Sequence, residues 1–135
     1  MTSSRTGAIV ALMKFTLEGA SRSNLVRSYS ADGIRIGAEL VRASCIVTPD
    51  TLITSWAPQS FAEFTVAHVE AILALTPELV ILGTGAQQQF APAAVRALFA
   101  QRSVGLEAMQ LGAACRTFNV LVQEERRVAA ALFVR

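Results

Sequence analysis

Histidine occurs once in these 135 residues, at His68, tryptophan once at Trp56 and cysteine only twice, at Cys45 and Cys115. One histidine leaves a His-based metal site or a His-dependent catalytic triad with almost no material. The cysteines lie far apart in sequence, outside any CxxC or Cys/His cluster, so zinc-ribbon and thioredoxin-like readings find no support. They read as buried, reduced thiols of a cytosolic protein. Charge is also scarce, at 16%, and its sign is barely biased, with a net of +2. Of the basic residues only Arg126 and Arg127 are adjacent. Phosphate backbones demand a clustered basic surface, so no nucleic-acid partner is expected. Long apolar runs are missing too: none approaches the roughly 18–20 residues that cross a bilayer. No motif for a metal or a cofactor is present, and none of either is expected.

Apolar residues nonetheless make up 53% of the chain, in short blocks. That pattern reads as a buried sheet in a soluble protein. The length fits one domain, with enough surface to bury that no disulfide or metal staple is required. Met13-Lys14-Phe15-Thr16-Leu17 looks like a natural start, so residues 1–12 are expected to be a poorly ordered extension and residues 13–135 a single domain. Ala8–Met13 is too short an apolar block for a signal peptide, whose core runs to about 7–15 residues. Arginine outnumbers lysine eleven to one beside abundant alanine, the amino-acid signature of a GC-rich bacterial genome.

Between Asn24 and Trp56, short alternating blocks are punctuated by turn signals at Asp32-Gly33, Gly37 and Thr48-Pro49-Asp50. Four or five short antiparallel strands are predicted there. A helix follows between Ser60 and Leu75, with two competing starts: Ser60 with Glu63 as a capping box, or Thr65 ahead of the stripe Val66, Val69, Leu73. Thr76-Pro77 ends it. Leu79–Leu82 is a continuous apolar run, the mark of a strand buried on both faces. A helix from about Pro92 to Arg102, a strand over Gly105–Met109, a helix over Leu111–Glu125 and a strand over Arg127–Val134 complete the chain. The expected fold is α/β, in three layers: a mixed central sheet, helices packed on it, and a small antiparallel β layer from the N-terminal half.

Two turns could bear chemistry. Gly83-Thr84-Gly85 follows a buried strand, where ligands gather in α/β folds. It lacks the third glycine of a dinucleotide fingerprint, since position 88 is Gln88, and the Gly-Lys-Ser/Thr of a P-loop. A plain tight turn is the competing reading. The helix from Leu111 opens on Gly112-Ala113-Ala114, small residues that leave backbone donors open to an anion. Arg116 and Asn119 follow on its polar side, and Arg116 competes between an anionic ligand and a salt bridge to Glu107 or Glu124. The candidate anion-binding set is therefore Gly83, Thr84, Gly85, Gly112, Arg116 and Asn119. Cys115 lies near the same helix start, where a thiol pKa can fall, but without a local base it reads as structural. No catalytic residue is assigned. Trp56 reads as a core or edge anchor, with contact to a partner as the alternative, and His68 reads as a surface residue.

Leu79–Gly85 (LVILGTG), Gln89-Phe90 with Pro92 beyond, Leu106–Leu121 (LEAMQLGAACRTFNVL) and Glu125–Leu132 together resemble one family. It is the small α/β domain family that includes the mitochondrial respiratory complex I assembly factor 3. The resemblance runs from about residue 28 to the C-terminus. Two positions depart from it: Gln110-Leu111 stands where Asp-Thr is expected, and Phe118 where tyrosine is. Losing threonine at 111 removes a good N-cap. The resemblance implies a three-layer fold, no established enzyme activity, and work through protein partners, in part at a membrane. The function expected is thus a non-enzymatic interaction or assembly module, cytoplasmic in a bacterium. It would reach membrane-protein subunits or form a homodimer through an exposed apolar face. A small-molecule anion binder or enzyme, with its site between the two turns, is the alternative.

Overall fold

The computed structural model describes residues 23–135, so the expectation for residues 1–12 falls outside the described residues. The first three strands, β1 (Val26–Ser30), β2 (Gly33–Ile36) and β3 (Glu39–Val41), form an antiparallel sheet in the order β1-β2-β3. A bulge between Val26 and Ser28 sets both Val26, opposite Ile36, and Tyr29, opposite Ile34, on one face. Bulges re-aim side chains in this way by adding one residue to a strand.

The remaining strands build the central sheet: β4 (Ser44–Val47), β5 (Leu52–Ile53), β6 (Leu79–Thr84), β7 (Gly105–Met109) and β8 (Val128–Phe133). Their order is β5-β4-β8-β6-β7. β6 runs parallel to β7 and β8, while β4 runs antiparallel to β8 and β5, so the sheet is mixed. Five short strands thus occupy the N-terminal half, as the turn spacing predicts, but only three make the small layer. β4 and β5 leave it because Cys45, Ile46 and Val47 are apolar without alternation and fully buried, fit for a strand covered on both faces.

Period-two alternation divides the core between those faces. Ile81, Ala130 and Leu132 join Cys115, Phe118 and Val122 of a helix (Leu111–Gln123) together with Ile34, Ile36 and Val41 of the small sheet. Val80, Leu82, Ala129 and Ala131 face the other way, toward Phe64, Ile72, Val95 and Phe99. That second layer carries helices α1 (Val69–Leu73) and α2 (Ala93–Gln101); the helix Leu111–Gln123 is α3. Small side chains at Ala129–Ala131, all fully buried, let both layers approach the sheet.

Thr65, and not Ser60, starts the helical segment that leads into α1. Phe61–Glu63 is a single 3-10 turn in which the Ser60 side chain makes no cap bond. Thr65 Oγ1 accepts the Ala67 N–H at 3.3 Å, and His68 Nδ1 accepts the Thr65 N–H at 3.0 Å. A histidine therefore closes a capping box in the place usually taken by Glu or Gln.

Candidate functional site

The two glycine-bearing turns meet at the carboxyl end of β6. Gly83 lies directly beneath α3: a Cβ there would stand 3.1 Å from Ala114 Cβ and 2.9 Å from Leu132 Cδ2. The Gly85 carbonyl accepts the Leu111 N–H at 2.8 Å, tying the end of the strand to the start of the helix. Gly85 has φ of +94°, a conformation that side chains resist, and its Cα faces the Arg135 backbone. A cleft of about 280 Å³ opens beside this junction, lined by Tyr29, Ala31, Ala86, Gln110, Leu111 and Val134 among others.

Thr84 is buried and organises the loop that leaves the strand. Its hydroxyl donates to the Gln87 carbonyl at 2.6 Å and accepts the Gln89 N–H at 3.1 Å. Ala91, two residues on, is buried, and its carbonyl takes the Arg96 Nε–H at 3.1 Å. Between these pinned points stands Phe90, 79% exposed. Phenylalanine is among the residues enriched at protein interfaces relative to the rest of the surface.

The donors at the start of α3 are largely engaged. Leu111 N–H serves Gly85, Ala113 N–H serves Gln110 Oε1 at 2.9 Å, and Ala114 N–H serves the Gln110 carbonyl. The cap position is thus residue 110, and the loss of threonine at 111 costs no cap. Across Gly112 lies the Tyr29 ring, whose hydroxyl would collide with any Cβ placed there. Arg116 Nη1 donates to that hydroxyl at 3.1 Å. Neither Glu107 nor Glu124 reaches Arg116; the ion pairs among the described residues join Glu70 to Arg102 and Glu78 to Arg126 and Arg127. The hydrogen bond from Arg126 holds the Glu78 carboxyl below its usual range. Asn119 stands farther along α3 with its amide spent on Val26, accepting the Val26 N–H and donating to its carbonyl, both at 2.9 Å.

So Gly83, Thr84 and Gly85 meet the start of α3 that holds Gly112, Arg116 lies a turn farther along α3 against the Tyr29 hydroxyl, and Asn119 clasps β1. Trp56 belongs elsewhere: it is 6% exposed, on the opposite face of the sheet, against Phe64 and Phe133. Its Nε1–H has no acceptor among the described residues. Both cysteines sit in the core between α3 and the central sheet, Cys115 on the buried face of α3 and Cys45 on β4. Burial pushes the Cys45 thiol up to about 12, with the neighbouring Cys115 adding to it, and burial lifts Cys115 to about 12 against a small opposing pull from Arg116. Neither is a nucleophile at neutral pH. Among the described residues, no three of His, Cys, Asp and Glu gather as metal ligands. Tyr29, the centre of the arrangement, carries no motif in the sequence. Its one local signal is that it is the sole tyrosine, beside the Asp32-Gly33 turn.

Residues 26–133 match a family model described as a protein of unknown function (DUF498/DUF598). The chain belongs to this family. Among DUF498/DUF598 relatives, the zebrafish (Danio rerio) NADH dehydrogenase [ubiquinone] 1 alpha subcomplex assembly factor 3 is 33% identical over 115 residues, 84% of this chain and 66% of that protein. This chain spans two thirds or less of the length of the curated relatives it matches. An NMR structure of a Xanthomonas campestris protein is 39% identical, with a TM-score of 0.76 over 83% of this chain and 85% of that one. A Bordetella pertussis Mth938-like domain is 25% identical, with a TM-score of 0.73 over 82% of this chain and 85% of that one. Both structures share the α/β fold described above. No helix among the described residues is long and apolar enough to cross a membrane.

Proposed function

We propose that this chain is a non-enzymatic interaction module that assists the assembly of membrane respiratory proteins of the complex I kind. Phe90, exposed on a loop pinned by Thr84 on one side and Ala91 on the other, carries this reading. An exposed aromatic whose backbone is already ordered loses little entropy on binding, which is the character of an interface anchor. Relatives named as complex I assembly factors support the choice of partner. In this reading the domain works in a bacterial cytoplasm and meets the membrane through the subunits it binds.

The alternative, an anion-binding protein or enzyme with its site between the two turns, draws support from the cleft beside Gly85. Against it, the α3 donors that would seat the anion already serve Gly85 and Gln110, and Tyr29 covers Gly112.

The test is affinity capture from detergent-solubilised bacterial membranes on the immobilised full chain, with bound proteins identified by mass spectrometry. Wild type is expected to retain respiratory NADH dehydrogenase subunits, and Phe90→Glu to lose them while melting at the wild-type temperature. Identical protein sets on the two columns, or no respiratory subunit on wild type, would sink the reading.

A further inference from the structure

The central sheet ends on β7, and its register shows which backbone groups of that strand are left over. The Gly105 N–H donates to the Glu78 carbonyl at 3.1 Å, with Gly105 itself opposite Leu79. In a parallel pair, alternate residues of a strand bond to the neighbour. Gly105, Glu107 and Met109 therefore turn their backbone groups toward β6, and Leu106 and Ala108 turn theirs outward. The Leu106 N–H and C=O and the Ala108 N–H have no partner among the described residues, and the Ala108 carbonyl meets only Gln88 Nε2, at 3.4 Å. Proline and bulges, which blunt many sheet edges, are missing from β7, and none of its five residues is buried. Its single charge is Glu107, exposed and outside the ion pairs of the described residues. Leu106 and Ala108 pack toward the α2 face of the sheet and Met109 toward the α3 face, so alternation sets Glu107 on the α3 side.

We infer that the open edge of β7 takes a strand from a protein partner, with lysine or arginine opposite Glu107 and apolar residues on either side of it. This rests on the interaction-module reading above and names the surface and the chemistry of the partner. Charge decides between a second copy and a foreign strand. A two-fold axis pairs β7 with itself antiparallel. Any register that joins Leu106 and Ala108 to their copies then sets Glu107 opposite its own copy or one diagonal place away. Like charges so placed oppose pairing, whereas an opposite charge favours it. The neighbours of that basic residue fall on the other face, beside Leu106 and Ala108, where half-buried carbon is matched by apolar side chains. Main-chain bonds to Leu106 and Ala108 supply affinity, as in strand addition at other open edges. The edge is continuous with the exposed aromatic, because Gln88, which reaches Ala108, stands two residues before Phe90. One partner surface can therefore engage both.

The experiment reads fluorescently labelled synthetic peptides by anisotropy against the full chain. One carries a central Val-Lys-Val, one Val-Glu-Val, and a third is the lysine peptide N-methylated along its backbone. The lysine peptide is expected to bind about fivefold more tightly than the glutamate one, and to weaken as salt rises. Glu107→Lys, a change at an exposed position, should invert that order. N-methylation should abolish binding, because it removes the donors that a strand offers to the edge. The inference is overturned if no peptide binds, if the two charges bind alike, if the N-methylated peptide binds as its parent does, or if Glu107→Lys keeps the wild-type order. In the membrane capture, respiratory subunits held by Glu107→Lys as firmly as by wild type overturn the edge assignment and leave the interaction module standing. Failure of wild type to capture any removes the module itself.

Discussion

Asn119 shows how a polar residue on a helix surface acquires a structural duty. Val26 opens an edge strand, and the bulge that follows takes its neighbours out of register, so its backbone groups need partners. The Asn119 amide supplies both a donor and an acceptor in one plane. Replacing it with alanine leaves a partly buried N–H and C=O unmatched, at a cost of about 2 kcal/mol. Chemical denaturation of Asn119→Ala should show that loss as a lower midpoint. A stability unchanged from wild type would mean that water replaces the amide fully. The sequence places Asn119 correctly on the polar arc of α3, but the arc alone does not tell solvent from a strand backbone 93 positions away. The same holds for Tyr29 over Gly112: both residues are conspicuous in sequence, one as the sole tyrosine and one as a small residue at a helix start, and only the packing of β1 on α3 joins them.

Helix ends were half legible. Pro77 marks the end of α1, yet α2 and α3 stop without proline or glycine. Each closes on a residue in the left-handed region, Ser103 at φ 58° and Glu125 at φ 62°. Beyond α3, Arg126 N–H reaches the Leu121 carbonyl and Glu125 N–H the Val122 carbonyl; Val104 with Phe99 and Ser103 with Ala100 repeat the pattern beyond α2. This paired bonding favours glycine at the left-handed position. Glu125→Gly is therefore expected to stabilise the protein by about 0.5–1 kcal/mol, the strain relieved outweighing the entropy glycine adds to the unfolded chain. Thermal unfolding checks it, and a lower midpoint would show that the Glu125 side chain contributes more than its backbone costs. Strand existence was readable wherever burial was two-sided, as in Leu79–Leu82 and Val128–Phe133. Strand partnership was not, because alternation fixes which face a residue uses and says nothing of which strand lies alongside.

Across the whole molecule, the two thiols link folding to pH. A thiol whose pKa rises from 9.0 to about 12 on folding holds its proton more tightly in the native state. The stability this lends is complete below pH 9 and drains away as pH climbs toward about 12. Native protein at pH 8 should leave a thiol reagent unreacted until denaturant is added, then release two equivalents. Cys45→Ala/Cys115→Ala, weaker through lost packing, should lose part of the alkaline slope. Fast thiol reaction in the native state would contradict the burial of both sulfurs. The three-layer order itself rests on β8, which lies between β4 and β6. Its place has a bearing on biosynthesis. While residues 128–133 are still untranslated, β4 has only β5 beside it and β6 only β7, so a nascent chain holds two half-sheets with raw inner edges. Ribosome stalling before Val128 would yield a product fit for proteolysis or clumping, and never a smaller working domain.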